Sequence, residues 1–235
     1  KKIFLTALIL PTALGLLLFG LLQTPQAKDF ITRTVNNLDL GDVDIEIENL
    51  EGILPFQIRL DRLTCYDPQG RFVDLRQLQV NIIPWSMSRG GPGIDLLKIQ
   101  RLRLDRLPLL PPKQDQPRPV PDPDAERTTA LPFPLFVRSL DIPSLSLGRE
   151  ILGRETEFAL SGQGTITSMA QWSLGCDLKQ TDTQGLEVHL AAGMLGSPPR
   201  LDLDLKFRDH PQGVVLSRAG LALPGPLKLR LQGTG

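Results

Sequence analysis

The sequence predicts an all-β protein held at a membrane by one N-terminal helix. Three observations lead there. Residues 3–22 form an uncharged run of membrane-spanning length. Beyond residue 40, apolar and polar side chains alternate with a period of two, as in strands with one buried and one wet face. Turn sequences, not helical stretches, separate the alternating runs.

The run Ile3 to Leu22 ("IFLTALILPTALGLLLFGLL") is twenty residues long, enough for a helix to cross about 30 Å of hydrocarbon. Lys1 and Lys2 precede it, so the positive-inside rule puts the N-terminus in the cytoplasm and the rest across the membrane. Pro11 would break a soluble helix but is tolerated in a transmembrane one. A cleaved signal peptide is the alternative. The run exceeds the roughly 7–15 residues of an h-region, and cleavage after Ala27 would put Pro25 where a small residue is wanted. Residues 1–25 are therefore assigned to a transmembrane anchor. In residues 26–40, Phe30, Ile31, Val35 and Leu38 recur at helical spacing. This short amphipathic helix lies at the interface, caps the first strands, or continues the anchor.

From Gly41 the period is two. Val43, Ile45 and Ile47 alternate with Asp42, Asp44, Glu46 and Glu48; Ile58 and Leu60 alternate with Gln57, Arg59 and Asp61. Further apolar sets are Leu78/Val80/Ile82, Leu102/Leu104, Leu145/Leu147, Phe158/Leu160 and Leu186/Val188/Leu190. In "RLDLDLKFRD", Leu201, Leu203, Leu205 and Phe207 share one face of a strand, and Leu227, Leu229 and Leu231 repeat the pattern. Turns fall at Asp67–Gly70 ("DPQG"), Thr181–Gly185 and Asp209–Gly213. The pattern makes about a dozen short, mostly antiparallel strands of about five or six residues. They divide into residues 41–107 and 135–235.

Between them, Pro108–Pro134 holds nine prolines. Proline lacks the ladder donor and favours polyproline II, so this segment reads as a linker rather than a recognition motif.

No catalytic or metal constellation emerges. His189 and His210 have no carboxylate or cysteine at ligand spacing, and Cys65 and Cys176 lie far apart, either buried singly or bridged. "GQG" at Gly162–Gly164 lacks the strand–helix context of a nucleotide loop, "RGGPG" at Arg89–Gly93 reads as a turn, and no nucleophile elbow is present. An enzyme is not expected, and neither a cofactor nor a metal. Lys+Arg and Asp+Glu both number 26, so nothing attracts nucleic acid. The chain has no initiator Met and stops on Gly235 after a strand-like run, which reads as a piece of something longer.

What covers the apolar faces is open at this point. Alternation alone favours a second sheet, as in a sandwich. Aromatics of only 5%, the absence of helices and the membrane anchor favour a curled, open trough whose apolar face meets lipid tails.

Val43–Met87 ("VDIEIENLEGILPFQIRLDRLTCYDPQGRFVDLRQLQVNIIPWSM") resembles the start of the periplasmic part of the TamB family, the translocation and assembly module subunits. The matching features are the "LEG-L" turn at Leu50–Leu54, the "D-x-x-G" hairpin at Asp67–Gly70 and Trp85 ending the third strand. "IPSLSLGREILGRETEFALSGQG" (Ile142–Gly164) and the "W-x-L" at Trp172–Leu174 also fit. The resemblance implies an AsmA-like, bridge-type lipid-transfer protein in the inner membrane of a two-membraned bacterium. Its N-terminus would be cytoplasmic and its bulk periplasmic, with a long curved sheet forming a taco-shaped apolar groove. The alternating apolar residues from Val43 to Leu231 would line that groove and carry phospholipid between inner and outer membrane. The family's alternative role is assembly or insertion of outer-membrane proteins with a BamA-like barrel partner (TamA). The family domain that meets that barrel has no counterpart here, and the Pro108–Pro134 insertion is longer than usual.

Overall fold

A computed structural model of the chain describes residues 15–38, 40–84, 93–109, 134–168, 171–183, 185–196, 200–211, 213–220 and 224–234. Residues 15–22 are helical (α1), and α2 spans Pro25–Asn36. Ten strands come after: β1 (Asp44–Glu51), β2 (Gln57–Asp67), β3 (Gly70–Ile83), β4 (Gly93–Leu104), β5 (Leu135–Leu147), β6 (Thr156–Ser168), β7 (Gln171–Gln180), β8 (Glu187–Leu195), β9 (Arg200–Asp209) and β10 (Leu227–Thr234). All ten form one sheet in chain order, β1 to β10, and β10 does not close onto β1. The fold is mostly β, in a single open sheet. No second sheet packs on it among the described residues.

The strands run 8–14 residues, longer than expected. In β1 to β4 the alternation hides this length through a phase slip. Asn49 and Gln77 take the left-handed conformation (φ 57° and 53°), and Asp61 and Gln100 sit level with them between continuous ladder partners. At this line two successive residues are exposed in β1, β3 and β4: Glu48/Asn49, Arg76/Gln77 and Gln100/Arg101. Leu75 and Leu78 therefore belong to one core cluster, as do Ile99 and Leu102, despite an odd spacing that strict alternation would split. What reads as two short strands is one long one.

Two one-turn helices, α3 (Arg149–Leu152) and α4 (Val214–Arg218), also lie between strands. At four and five residues they are too short to show a helical period.

The apolar run of residues 3–22 falls largely outside the described residues. Among those described, no helix is long and apolar enough to cross a membrane. Trp85 and residues 89–92 also lie outside. The helix breaks at Gln23–Thr24, where Thr24 caps α2 by accepting the Ala27 N–H at 3.3 Å. α2 lies along the free edge of β1. The Asn36 amide accepts the Ile47 N–H (2.8 Å) and donates to the Ile47 carbonyl (3.2 Å), taking the place of a neighbouring strand. Gln23 makes the same two-way contact with Leu54, at 3.1 and 2.7 Å.

Eight of the nine strand pairs are antiparallel; β4 and β5 are parallel. A parallel pair needs a crossover. The chain leaves β4 at Leu104 and must re-enter β5 beside Gly93, at the opposite end of the strand. The Pro-rich stretch is that crossover, although residues 110–133 lie outside the described ones. Its near end is pinned by a buried ion pair. Both Arg106 guanidinium nitrogens donate to the Asp67 carboxylate, one at 2.6 Å, and Arg106 also donates to the Gly70 carbonyl at 2.8 Å. Asp67 further accepts the Gln69 and Leu109 N–H groups, at 2.8 and 3.1 Å. The Arg106 hydrogen bonds hold the Asp67 carboxyl well below its ordinary 3.8.

The crossover must span about 40 Å of strand, which takes at least about 12 residues. Replacing Pro117–Thr128 with a short Gly/Ser linker should leave the thermal melt unchanged, whereas a crossover of about six residues should destroy the β4–β5 pair. Arg106→Met strands a buried carboxylate and should lower Tm more than Arg138→Met at the exposed Asp95 pair. Because the folded pKa of Asp67 is depressed, its stabilisation is complete above 3.8 and is lost as pH falls from that value through the folded pKa. The Arg106→Met variant should therefore show a shallower acid-induced loss of stability than the unmodified chain.

Candidate functional site

Strand register decides which side chains share a face. Across an antiparallel ladder, opposed residues point the same way. One row runs through nine strands: Ile58, Val80, Leu97, Leu140, Gly162, Cys176, Leu190, Leu205 and Leu231. Every member is apolar or glycine. At about 4.8 Å per strand the row is about 38 Å long. A parallel row runs Ile82, Ile94, Val137, Gly164, Leu174, Ala192, Leu203 and Gly233. Another runs Leu160, Leu178, Val188, Phe207 and Leu229. Ile47, Leu63, Leu75, Leu102, Leu145 and Phe158 form a fourth, and Ile45, Cys65, Val73, Leu104 and Leu147 a fifth. These rows tile one side of the sheet as a continuous apolar face.

The opposite face is ionic. Asp74, nearly buried, accepts from Arg62 at 3.0 Å and from Arg71 and Arg76 at 3.4 Å, while Asp105 pairs with Arg71 and Arg103. Asp177–His189 and Lys179–Glu187 continue the pattern.

The structure gathers on the apolar face the alternating residues singled out from sequence. Val43 is half-buried just before β1, Leu60 stands opposite Leu78, and Leu186 lies buried just before β8. Leu227 is opposite Asp209, and Leu201 is opposite Met194. Sequence reading passed over most of β7, where Trp172, Leu174, Cys176 and Leu178 share this face. Their period of two is present, but Gly175 weakens the polar half of the alternation. Both cysteines are free, half-buried, and raised in pKa by burial. Gly162–Gly164 lies inside β6, away from any loop.

The two rims of the sheet differ. At the rim where β5, β7 and β9 end, the face is filled. Phe158 and Leu216 are 1% and 0% exposed, and Leu186 and Val214 join the same core, with Leu152 packed against it. Two buried polar side chains fold the connections over this helix rim. Gln180 Oε1 accepts the Leu186 N–H at 3.0 Å, and Asp209 Oδ2 accepts the Leu216 N–H at 2.8 Å. Arg218 then donates to the Ile151 carbonyl at 2.5 Å, tying α4 to α3. At the far rim nothing comparable covers the face among the described residues. Ile166, Leu174 and Leu201 are 41–45% exposed. Two cavities border the ionic side chains: one of about 870 Å³ is flanked by Gln163, Ser173, Asp202, Asp204 and Gln232, and one of about 560 Å³, nearer the helix rim, by Asp177, His189, Lys206 and Arg208.

No cluster of three or more metal-ligating side chains occurs among the described residues. No protein-family model, curated protein or solved structure matches the chain. The arrangement presents a broad apolar surface on one side of the sheet and an ionic one on the other.

Gly213 shows how tightly the helix rim is closed. A Cβ there would collide with Asp209 Oδ1. Gly213→Ala should displace the carboxylate, leave the buried Leu216 N–H unpaired and cost about 1–3 kcal/mol in a denaturant melt. Gly225→Ala, with open space around its Cβ, should change nothing.

Proposed function

We propose that the chain is a carrier segment for phospholipid, anchored by its N-terminal apolar run and moving acyl chains along the apolar face of its sheet. The observation that carries this reading is the nine-strand apolar row with no second sheet over it among the described residues. Exposing acyl chains to water costs about 0.8 kcal/mol per CH₂. A continuous wall of leucine, valine and isoleucine removes that cost without gripping one position, so a chain can slide. The wall lowers a barrier and supplies no direction. The resemblance to the TamB family supports the same reading and extends it: an inner-membrane anchor, a curved periplasmic groove, and delivery towards the outer membrane, where a BamA-like barrel would be the partner. In this reading the chain acts as a passive conduit and catalyses no reaction.

A second reading has one observation in its favour. The outer edge of β10 is unpaired among the described residues, so it could receive a client strand during outer-membrane protein assembly.

The test uses the opposed faces of β9. Leu203→Asp or Leu205→Asp puts a carboxylate in the lipid path, where burial is costly. The thermal melt should stay near normal, because water reaches the face once lipid leaves, while binding of a fluorescent phospholipid falls. Asp202→Ser, on the other face, should alter neither. A collapsed melt without lipid binding by the unmodified chain would mean that the leucines pack against protein. For topology, a reporter that fluoresces only in the cytoplasm, fused after Gly235, should stay dark.

A further inference from the structure

The ionic face balances its charges in β2 to β4 but not in β9 and β10. In β2 to β4 the opposed arginines Arg62, Arg76 and Arg101 have the nearly buried Asp74 beside them, 3.0 Å from Arg62 and 3.4 Å from Arg76. In β9 and β10, Lys228 stands directly opposite Arg208, and Arg230 directly opposite Lys206. All four are exposed. Like charges in opposed positions repel. The carboxylates nearby are few, shared and distant. Asp204 serves both Lys206 and Arg230, at 3.4 and 3.8 Å, and Glu187 serves both Arg208 and Lys179, at 4.0 and 3.6 Å. Asp177 is taken up by His189 at 2.6 Å. The Lys228 ammonium pairs with no carboxylate among the described residues.

These cations also border open space. Lys206, Arg208, Lys228 and Arg230 flank the cavity of about 560 Å³, and one of about 650 Å³ adjoins it, sharing Lys179, Glu187 and Arg208. Opposed Cα atoms lie about 5 Å apart and successive same-face residues about 7 Å, so the four cations mark a block of about 5 by 7 Å. Such a block is wide enough to surround one or two phosphate groups. An arginine fork offers phosphate paired donors, and a lysine offers a point charge. The excess of positive charge is local. The whole chain has a formal net charge of zero, and at β1 the same face carries Asp44, Glu46 and Glu48 instead.

We propose that Lys206, Arg208, Lys228 and Arg230 form a binding site for a phosphate-bearing anion, which supplies the counter-charge that the fold withholds there. The four residues alternate with Leu205, Phe207, Leu229 and Leu231, so the site lies on the side of the sheet opposite the apolar rows. It does not depend on the lipid-carrier reading.

The test is isothermal titration calorimetry of the full chain in a neutral detergent, at constant ionic strength. Two probes are used: inorganic diphosphate, and glycerophosphoglycerol, the deacylated head group of phosphatidylglycerol. At least one should bind saturably. Tighter binding of diphosphate would identify a free phosphate ligand, and tighter binding of glycerophosphoglycerol a lipid head group; either supports the site. The double variant Arg208→Gln/Lys228→Gln should weaken that binding at least about tenfold. Its melt without ligand should be unchanged or higher, because an opposed pair of like charges is gone. Lys98→Gln, elsewhere on the ionic face in the Lys98–Asp141 pair, should leave the affinity unaltered. No saturable binding of either probe, or equal affinity in the double variant, would overturn the proposal. So would a salt-sensitive dimer lost in that variant, because the acidic β1 of a second copy would then be what the block receives.

Discussion

The apolar face of this sheet has no protein layer to cover it among the described residues, and every other feature accommodates that constraint. Ten strands present leucine, isoleucine and valine on one side. In most domains a second sheet or a set of helices would bury such a surface. Here burial comes from the helix rim, from neighbouring side chains along each row, and from two helices of only four and five residues. The face consequently grades from fully buried at Phe158 to half-exposed at Leu174 and Leu201. A surface of that kind calls for a ligand or partner of matching chemistry.

The edges and the reverse face are managed separately. The β1 edge is met by α2 through the Asn36 amide, which completes both backbone hydrogen bonds of Ile47 as a strand would, and Gln23, just before α2, does the same for Leu54 in the turn after β1. The reverse face carries arginines directly opposite one another, Arg62, Arg76 and Arg101, an arrangement that costs energy without a counter-charge. Asp74 supplies it, nearly buried among Arg62, Arg71 and Arg76. The parallel β4–β5 pair is the one break in the meander, and it explains why a long, proline-rich segment occurs where a hairpin would otherwise suffice.

How much of this is legible in the sequence depends on what each feature rests on. The alternation in β9 and β10 is unbroken, so its face can be read directly from Leu201–Phe207 and Leu227–Leu231. In β2 to β5 the left-handed residues and bulges shift the phase, and Ile58/Leu60 looks like a complete short strand when Leu63 and Cys65 continue the same face. An αL Asn or Gln carries no local sequence signature strong enough to announce that shift. The short helices escape notice because a single turn shows no period. Gln180 and Asp209, which seal the helix rim, read as ordinary turn residues because their roles depend on packing contacts that only the assembled sheet creates. Most of the proline segment lies outside the described residues, and its place as the connection between parallel strands depends on strand direction, which composition does not encode.

The central claim is that the uncovered face holds lipid. Native mass spectrometry of the full chain, extracted from membranes with minimal detergent, addresses it most directly. The account predicts peaks displaced from the bare chain by the masses of one or more phospholipids, released on gentle activation. A bare chain under all extraction conditions, or one carrying unfolded polypeptide instead, would contradict it.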